Sequence, residues 1–429
     1  MIPYPAEKKW RTLHFTWIAF WSTFFAWFAF APLAVAAQKE LSLTNAQLGW
    51  LAMAGQLLTI PGRLFVGGLV DRIGPRRTFT VLMLLVSVPV ALLGFARSFH
   101  ELLGLRLLIG LAGCGFVVGV RMIADWFPPR QLGLAEGIYG GWGNCGAGFA
   151  ALLLPLAAHW IGWRFALASA AIPLVLWSWV FWRNVSDVPA GRVFRRTPRE
   201  QNFSAWRDRD ARLLAFAYLA TFGTEISIVT FLPKYFYDRF HITLLQAGWC
   251  ASVFAILNII ARPAGGWLAD RCGRKRVLLI TLAGSAVTYA AMGFAPSLAL
   301  AIAATAVAAL FVQAGCGAVY AIVPLVHPTA VGQVAGFVGA TANAGALVFP
   351  LVFGYGLQLT GGSYAPAFIA VAATALVAFL ALTRLRITDA AHIQDASLQQ
   401  DFSRVTMRLQ VSGQPRLFHQ NSTSAGVSS

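Results

Sequence analysis

Long apolar runs follow one another along the whole chain and are separated by short polar segments. Runs such as residues 277–294 do not alternate apolar and polar positions, so they predict helices rather than the strands of a barrel. A helix needs about 20 apolar residues to cross a membrane. Windows of that length predict twelve helices, here called spans 1 to 12. Their ranges are 14–37, 46–70, 78–96, 101–127, 133–157, 164–183, 212–236, 244–269, 277–295, 298–326, 332–358 and 365–385.

The composition agrees with a membrane protein. Of the 429 residues, 58% are hydrophobic and 11% are charged, whereas soluble proteins carry about 25% charged residues. These values exclude a soluble enzyme, a secreted disulfide scaffold and a disordered chain. The five cysteines show no spacing typical of metal ligands. We therefore expect no metal, no cofactor and no enzymatic activity.

The net charge of +17 first suggests nucleic-acid binding, but its distribution argues for membrane topology. With the N-terminus inside, 24 of the 33 lysines and arginines fall in six cytoplasmic segments, and five fall in outer loops. This bias is the positive-inside rule. It predicts that both termini lie in the cytoplasm, and it predicts no nucleic-acid partner.

The polar segments divide the chain into four parts. Residues 1–183 form a first six-helix bundle, and residues 212–387 form a second. A polar, arginine-rich cytoplasmic linker, 184–211, joins them. Residues 388–429 are polar and predict a disordered cytoplasmic tail.

The two bundles contain an internal repeat at an offset of 199 residues. GRLFVGGLVDRIGPRR (62–77) aligns with ARPAGGWLADRCGRKR (261–276), which pairs Arg63 with Arg262. The same offset aligns GGWGNCGAG (140–148) with GATANAGAL (339–347), which pairs Asn144 with Asn343. A parallel duplication of this kind predicts a transporter whose substrate binds between two bundles near the membrane midplane.

Arg63 and Arg262 lie deep in the predicted membrane, eight residues before Asp71 and its repeat partner. Eight helical residues correspond to about 12 Å, which places both arginines near the midplane. A charge there costs about 2.5–3.5 kcal/mol, and Glu225 is the only carboxylate clearly inside a span. An anionic substrate is the simplest missing partner, because a guanidinium forks onto two oxygens of a planar oxyanion such as nitrate or nitrite.

Other interpretations of these polar residues remain open at this point. Alternatively, Arg63 and Arg262 have only a structural role, in which each guanidinium donates hydrogen bonds to backbone carbonyls. For Arg106 and Arg121, nearer the ends of span 4, we expect structural pairing or snorkelling. Asn144 either donates to an oxyanion or makes an interhelical hydrogen bond, and for Asn343 we favour the interhelical bond.

Small residues in spans 5 and 11 predict closely packed helices that slide or rock. The residues with this predicted packing and gating role are Gly141, Gly143, Gly146, Asn343 and Gly345.

Three motifs carry a resemblance to known proteins. The loops after spans 2 and 8 resemble the signature loops of the major facilitator superfamily, in which Asp71 and Asp270 would hold neighbouring cytoplasmic helix ends together. GGWGNCGAG and GATANAGA resemble the two signatures of the nitrate/nitrite porter family. The resemblance implies an all-α membrane protein with the major facilitator fold, in which twelve transmembrane helices form two pseudo-symmetric six-helix bundles.

The resemblance also implies a set of substrate-binding residues. Arg63 and Arg262 match the two substrate-binding arginines of the family, and Asn144 matches its signature asparagine. In YLATFGTE (218–225), Tyr218 and Phe222 match aromatic residues that line the site. In span 4, Phe116 resembles the aromatic residue that covers the flat face of the anion.

Together these features predict a secondary transporter for nitrate, nitrite or both, with a role in nitrate assimilation. It would work as a nitrate/nitrite antiporter, or as a proton-coupled nitrate symporter in which Glu225 binds the proton. Alternatively, Glu225 only neutralises one of the two arginines. Two other functions remain possible at this stage, namely a major facilitator carrier for another small anion and a nitrate-sensing membrane receptor. We expect a monomer in the lipid bilayer.

Overall fold

A computed structural model describes residues 6–127, 129–188, 205–327 and 331–386 of the chain. The predicted tail, 388–429, and residues 189–204 of the predicted linker lie outside this described part. Within it, the chain forms eighteen α-helices and no strand. They are α1 (Ala6–Phe28), α2 (Ala34–Glu40), α3 (Asn45–Leu57), α4 (Thr59–Ile73), α5 (Pro75–Leu93), α6 (Phe99–Ile109), α7 (Gly115–Trp126), α8 (Pro129–Asn144), α9 (Gly146–Ser169), α10 (Ala171–Asn184), α11 (Arg209–Tyr218), α12 (Thr224–Phe240), α13 (Leu244–Ile256), α14 (Asn258–Cys272), α15 (Arg274–Phe294), α16 (Leu298–Val326), α17 (Val331–Leu359) and α18 (Ala365–Leu382).

The helices fall on the predicted spans. Several spans contain two helices in line, so eighteen helices account for twelve spans. Ten helical stretches in the described ranges are long and apolar enough to cross a membrane. Spans 2 and 6 are not among these ten stretches as helices of their own. Span 2 is interrupted by a turn at Leu58, and span 6 is interrupted by a turn at Ala170. The all-helical, multi-pass fold predicted from the hydrophobic pattern is confirmed.

The sequence repeat is also a structural repeat. Spans 2 and 8 each begin with a threonine capping box, contain one mid-span turn, and end at a glycine with positive φ. Glycine ends the helix there because it has no Cβ to oppose that backbone conformation. The equivalent positions, all 199 residues apart, are Thr44 and Thr243, Leu58 and Leu257, and Gly74 and Gly273.

The two halves pack together at the ends of spans 2 and 11 that the charge distribution places outside. The backbone N–H of Ala46 donates to Gln358 Oε1 at 3.1 Å, and the Trp50 indole donates to Tyr355 Oη at 3.0 Å. Beside them, a Cβ added to Gly49 would lie 2.8 Å from a span 11 carbonyl oxygen. The halves are therefore in close backbone contact on the predicted outer side.

The loops after spans 2 and 8, which the charge distribution predicts to be cytoplasmic, make different contacts. Asp270 pairs with Arg274 at 3.1 Å, as expected for a carboxylate near an arginine of the adjoining turn. In the first half, the Arg76 N–H donates to Asp187 Oδ1 at 2.8 Å, which ties the loop to the segment after span 6. Burial raises the pKa of the Asp187 carboxyl above its ordinary value. The side chain of Asp71 lies outside the described residues.

Candidate functional site

A cavity lies between the two halves and is lined by residues from both. Spans 1, 2, 4 and 5 contribute from the first half, and spans 7, 8 and 10 contribute from the second. The structure brings all six sequence-predicted substrate-binding residues into this one cavity, together with three others. The lining residues are Phe20, Phe24, Arg63, Phe116, Asn144, Tyr218, Phe222, Arg262 and Tyr320.

Arg63 reaches the cavity from α4, five residues after the turn at Leu58. Its Nε donates to the Gly113 carbonyl at 3.3 Å, and its Cζ lies 5.7 Å from the centre of the Phe116 ring. Within the described residues, Arg63 forms no ion pair with a carboxylate. The positive charge of the first half is therefore held in place by a carbonyl and a ring but is not neutralised.

Arg262, the repeat partner of Arg63, does have a counter-ion. Its Nη2 lies 3.0 Å from Glu225 Oε2, and both side chains are at least nine-tenths buried. The Arg262 Cζ also lies 5.5 Å from the centre of the Phe222 ring. Glu225 in turn accepts a hydrogen bond from Asn258 Nδ2 at 2.8 Å and one from Cys316 Sγ at 3.6 Å. Spans 7, 8 and 10 thus share one buried polar network.

These contacts fix the charge balance of the cavity. With Glu225 ionised, two guanidiniums and one carboxylate leave one uncompensated positive charge. Burying an unpaired charge is costly, and sites that do so are completed by an opposite charge. The cavity is therefore electrostatically complementary to one monovalent anion.

Asn144 offers an unused amide to the cavity. The residue is 3% exposed, and neither Nδ2 nor Oδ1 has a hydrogen-bond partner in the described part of the chain. The alternative of an interhelical hydrogen bond is therefore wrong for Asn144. It is also wrong for Asn343, whose Nδ2 donates to the Gly339 carbonyl of its own helix at 2.7 Å. Because buried amides are normally satisfied, Asn144 is available to a ligand.

Aromatic rings form most of the remaining wall. A π-helical turn, Leu219–Gly223, follows Tyr218, and the rings of Tyr218 and Phe222 stack at 5.2 Å with an interplanar angle of 10°. Tyr320 meets the Tyr218 ring edge-on at 5.1 Å. In the first half, Phe20 lies 5.7 Å from Phe116. Apolar walls of this kind exclude water and strengthen the charged contacts inside them.

The sequence analysis missed three of the cavity residues and two members of the Glu225 network. Phe20 and Phe24 belong to an aromatic-rich first span in which the sequence does not mark the rings that face the cavity. A signal did exist for span 10. The tetrapeptide AGCG occurs at 112–115 and again at 314–317, which marks spans 4 and 10 as equivalent and would have drawn attention to Cys316, Tyr320 and their surroundings.

The predicted packing glycines lie at close helix crossings. A Cβ at Gly146 would lie 2.3 Å from the Trp21 carbonyl oxygen in span 1, and one at Gly143 would overlap the Phe20 ring. A Cβ at Gly345 would lie 3.2 Å from a backbone Cα in span 7. Gly141 instead faces span 8 of the other half. At these positions a side chain larger than glycine would meet the neighbouring helix.

The two other arginines within the spans have structural contacts, as predicted. Arg106 is 3% exposed and donates to the carbonyls of Leu51 at 3.2 Å and Trp27 at 2.8 Å. Arg121 pairs with Asp125 at 3.0 Å. Neither arginine lines the cavity.

A duplicated helical fold with a polar cavity between its halves defines a multi-pass membrane transporter, and comparisons with known proteins agree. The sequence model of the Major Facilitator Superfamily matches residues 16–239 and 214–420. The nitrate/nitrite transporter NrtP of Nostoc punctiforme is 34% identical over 81% of this chain and 87% of its own length. The high-affinity nitrate transporter 2.3 of Oryza sativa is 30% identical over 82% of this chain and 73% of its own length.

Solved structures show the same fold. A bacterial homologue of the human lysosomal transporter Spinster, in an inward-facing, unoccupied conformation, aligns with a TM-score of 0.72 at 18% identity. The alignment covers 89% of this chain and 98% of that structure. From the sequence and family matches together, this chain belongs to the nitrate/nitrite porter family of the Major Facilitator Superfamily.

Proposed function

We propose that this protein carries nitrate and nitrite across the membrane by alternating access. The observation that carries the proposal is the charge balance of the cavity. Arg63 and Arg262 line one cavity, and among the described residues Glu225 is the carboxylate that pairs with one of them. One nitrate or nitrite ion supplies the missing negative charge. The similarity to proteins named nitrate/nitrite transporters supports the same substrate.

The charged, amide and aromatic residues of the cavity each have a different role in binding the anion. Arg63 and Arg262 each present a planar fork to the oxygens of the anion. The unpartnered Asn144 amide donates a further hydrogen bond. Phe116 and Phe222 cover the flat faces of the anion, and each also lies against one of the arginines.

The uncompensated charge of the anion-free cavity favours exchange of nitrate for nitrite over net transport of one anion. Without an anion, the charge of Arg63 stays uncompensated in a cavity lined largely by aromatic rings. Rocking of the halves around an empty cavity is therefore slow, whereas the neutralised, anion-loaded form crosses quickly. The close approach of Gly141 in span 5 to span 8 provides a crossing about which the halves can move.

Proton-coupled nitrate symport is the second candidate, and the position of Glu225 favours it. This carboxylate contacts Arg262 directly, so protonation of Glu225 would change the charge of the binding site from +1 to +2. The test is nitrate uptake into proteoliposomes with and without a pH gradient, comparing wild type with Glu225→Gln. Symport requires that the variant loses its response to the gradient. An unchanged response assigns Glu225 to neutralising Arg262 only.

We further propose a monomer in the inner membrane of a bacterium, with both termini in the cytoplasm. The excess of lysine and arginine in the predicted cytoplasmic segments supports this orientation. Residues 1–183 and 212–387 would form the two moving bundles. The repeat that relates spans 2 and 8 supports this division.

The decisive experiment is counterflow of labelled nitrate in proteoliposomes that contain wild type, Arg63→Lys or Arg262→Lys. Lysine keeps the positive charge but loses the fork, and a hydrogen bond to a charged group contributes about 1.5–3 kcal/mol. We expect KM for nitrate to rise about ten- to hundredfold in each variant. Arg164→Lys, at an ion pair near the outer helix ends, is the matched control and should transport normally. Normal transport by both cavity variants would contradict the assignment.

A further inference from the structure

Tyr320 is the polar cavity residue that neither the sequence motifs nor the proposed transport cycle explains. It belongs to α16 in span 10, and its side chain lines the cavity with both arginines. Its ring meets that of Tyr218 edge-on, at an interplanar angle of 84°. The rings of Tyr218 and Phe222 continue this row to Arg262. The ring of Tyr320 is therefore held in place from one side by other rings.

The hydroxyl groups of the two cavity tyrosines differ in their partners from those of the fully buried tyrosines elsewhere in the described structure. Buried tyrosine hydroxyls usually find a hydrogen-bond partner. Four of them do so here, with distances between 2.7 and 2.9 Å. In the described part of the chain, neither Tyr218 nor the partly exposed Tyr320 donates to a carbonyl or a carboxylate, and the two phenols lie within hydrogen-bonding reach of each other. The four satisfied residues are Tyr139, Tyr235, Tyr289 and Tyr364.

The two halves of the protein also contribute different aromatic side chains to the cavity, and only those of the second half carry hydrogen-bond donors. The aromatic side chains from the first half are Phe20, Phe24 and Phe116, which carry no polar atom. The second half contributes two phenols. The phenol of Tyr320 therefore lines the cavity from the second half, whereas Asn144 lines it from the first, and both arginines line the same cavity.

We propose that Tyr320 donates a hydrogen bond to the third oxygen of nitrate and thereby sets the preference for nitrate over nitrite. This inference rests on the proposed transport function. Nitrite has two oxygens, which the forks of Arg63 and Arg262 satisfy together with the Asn144 amide. Nitrate has three oxygens in one plane, and its additional oxygen needs a further donor. A site that makes such a bond discriminates against the ligand that lacks the acceptor, because the donor is then left unpaired.

The test is the variant Tyr320→Phe, which keeps the ring and removes only the hydroxyl. In proteoliposomes we would measure KM for labelled nitrate and the inhibition constant of nitrite against nitrate. We expect KM for nitrate to rise about tenfold, as for the loss of a hydrogen bond to a charged group. The inhibition constant of nitrite should change less than about threefold, so the preference for nitrate falls.

The control is Tyr235→Phe, which removes a buried hydroxyl that donates to the Met292 carbonyl away from the cavity. This variant should keep the wild-type ratio of the two constants. Thermal stabilisation of the purified protein by nitrate and by nitrite compares the two affinities without transport. This measurement can therefore be made on a variant that reconstitutes poorly into liposomes. If Tyr320→Phe alters both constants by the same factor, or neither, Tyr320 does not determine specificity. A wild type that neither transports nor binds nitrate would instead overturn the proposed function, and this inference with it.

Discussion

Arg63 and Arg262 occupy equivalent positions in the two halves, yet their surroundings differ. Arg262 belongs to a network in which Glu225 accepts from Arg262, Asn258 and Cys316. Arg63 donates to one carbonyl and lies against one ring. The duplicated halves have thus kept the arginine and diverged in its counter-ion.

The divergence has an identifiable origin in the sequence. Span 7 carries Glu225, whereas span 1 contains no carboxylate between residues 14 and 37. At the position 199 residues before Asn258, span 2 has Thr59, whose hydroxyl donates to the Gly110 carbonyl instead of reaching the cavity. The protein therefore neutralises one arginine and leaves the charge of the other uncompensated within the described residues.

The largest expected effect comes from replacing each arginine by methionine. Arg262→Met leaves Glu225 as a buried carboxylate without its cation, and breaking a buried pair in this way costs about 3–5 kcal/mol of stability. Arg63→Met removes a charge that has no partner, so the nitrate-free protein should keep or gain stability. Thermal and urea unfolding of the purified protein in detergent would measure the difference. The double variant Arg262→Met/Glu225→Leu should recover most of the loss, and equal losses in the two single variants would contradict the comparison.

The amides of the two halves should respond in opposite directions. Asn144 has no partner for either side-chain atom, and a buried unsatisfied group costs about 1–3 kcal/mol. Asn144→Leu should therefore stabilise the nitrate-free protein while weakening nitrate binding. Asn258→Leu removes a donor from Glu225 and should destabilise the protein by a similar amount. The measurement is unfolding with and without nitrate, and a loss of stability in nitrate-free Asn144→Leu would show that the amide has a protein partner.

Much of this asymmetric site could be predicted because charged residues are rare inside a membrane. Arg63, Arg262 and Glu225 stand out in apolar spans, and depth alone places the arginines near one plane. The repeat then indicates that they come from opposite halves. The sequence could not assign Glu225 to one arginine, because that choice depends on how spans 7 and 8 are rotated about their axes.

Aromatic residues were harder to predict, because the surroundings of a ring also depend on how its helix is rotated about its axis. The chain has 32 phenylalanines and 9 tyrosines, and lipid, core and cavity all accept an aromatic ring. The face that a ring occupies depends on local changes of helical pitch, such as the π-helical turn between Tyr218 and Thr224. Tyr320 was missed because its helix, α16, carries no charged residue that would mark the side facing the cavity.

The rings beside the arginines give a smaller test of the comparison. Cation–π contacts contribute about 0.5–2 kcal/mol, depending on desolvation. Phe116 is the ring against Arg63, which has no counter-ion, whereas Arg262 is also held by Glu225. Phe116→Leu should therefore raise KM for nitrate about three- to tenfold, and Phe222→Leu about two- to threefold. Initial rates of counterflow would measure both values, and a larger effect at Phe222 would reverse the interpretation.

The smallest expected effects lie in the loops after spans 2 and 8, where the halves also differ. Asp270→Asn removes a partly exposed ion pair with Arg274, which should cost about 0.3–0.5 kcal/mol. Asp187→Asn keeps an oxygen that accepts the Arg76 N–H, so its effect should appear in the pH dependence.

Burial raises the pKa of the Asp187 carboxyl, so the folded protein binds its proton more tightly than the unfolded chain does. This contribution to stability is present at low pH. It is lost as the pH rises from the ordinary range of aspartate through the raised pKa. Relative to Asp187→Asn, wild type should therefore lose stability over that interval. Thermal unfolding of wild type and Asp187→Asn in detergent from pH 4 to pH 7 would measure this difference. A constant difference between wild type and Asp187→Asn would show that Asp187 titrates alike in the folded and unfolded chain.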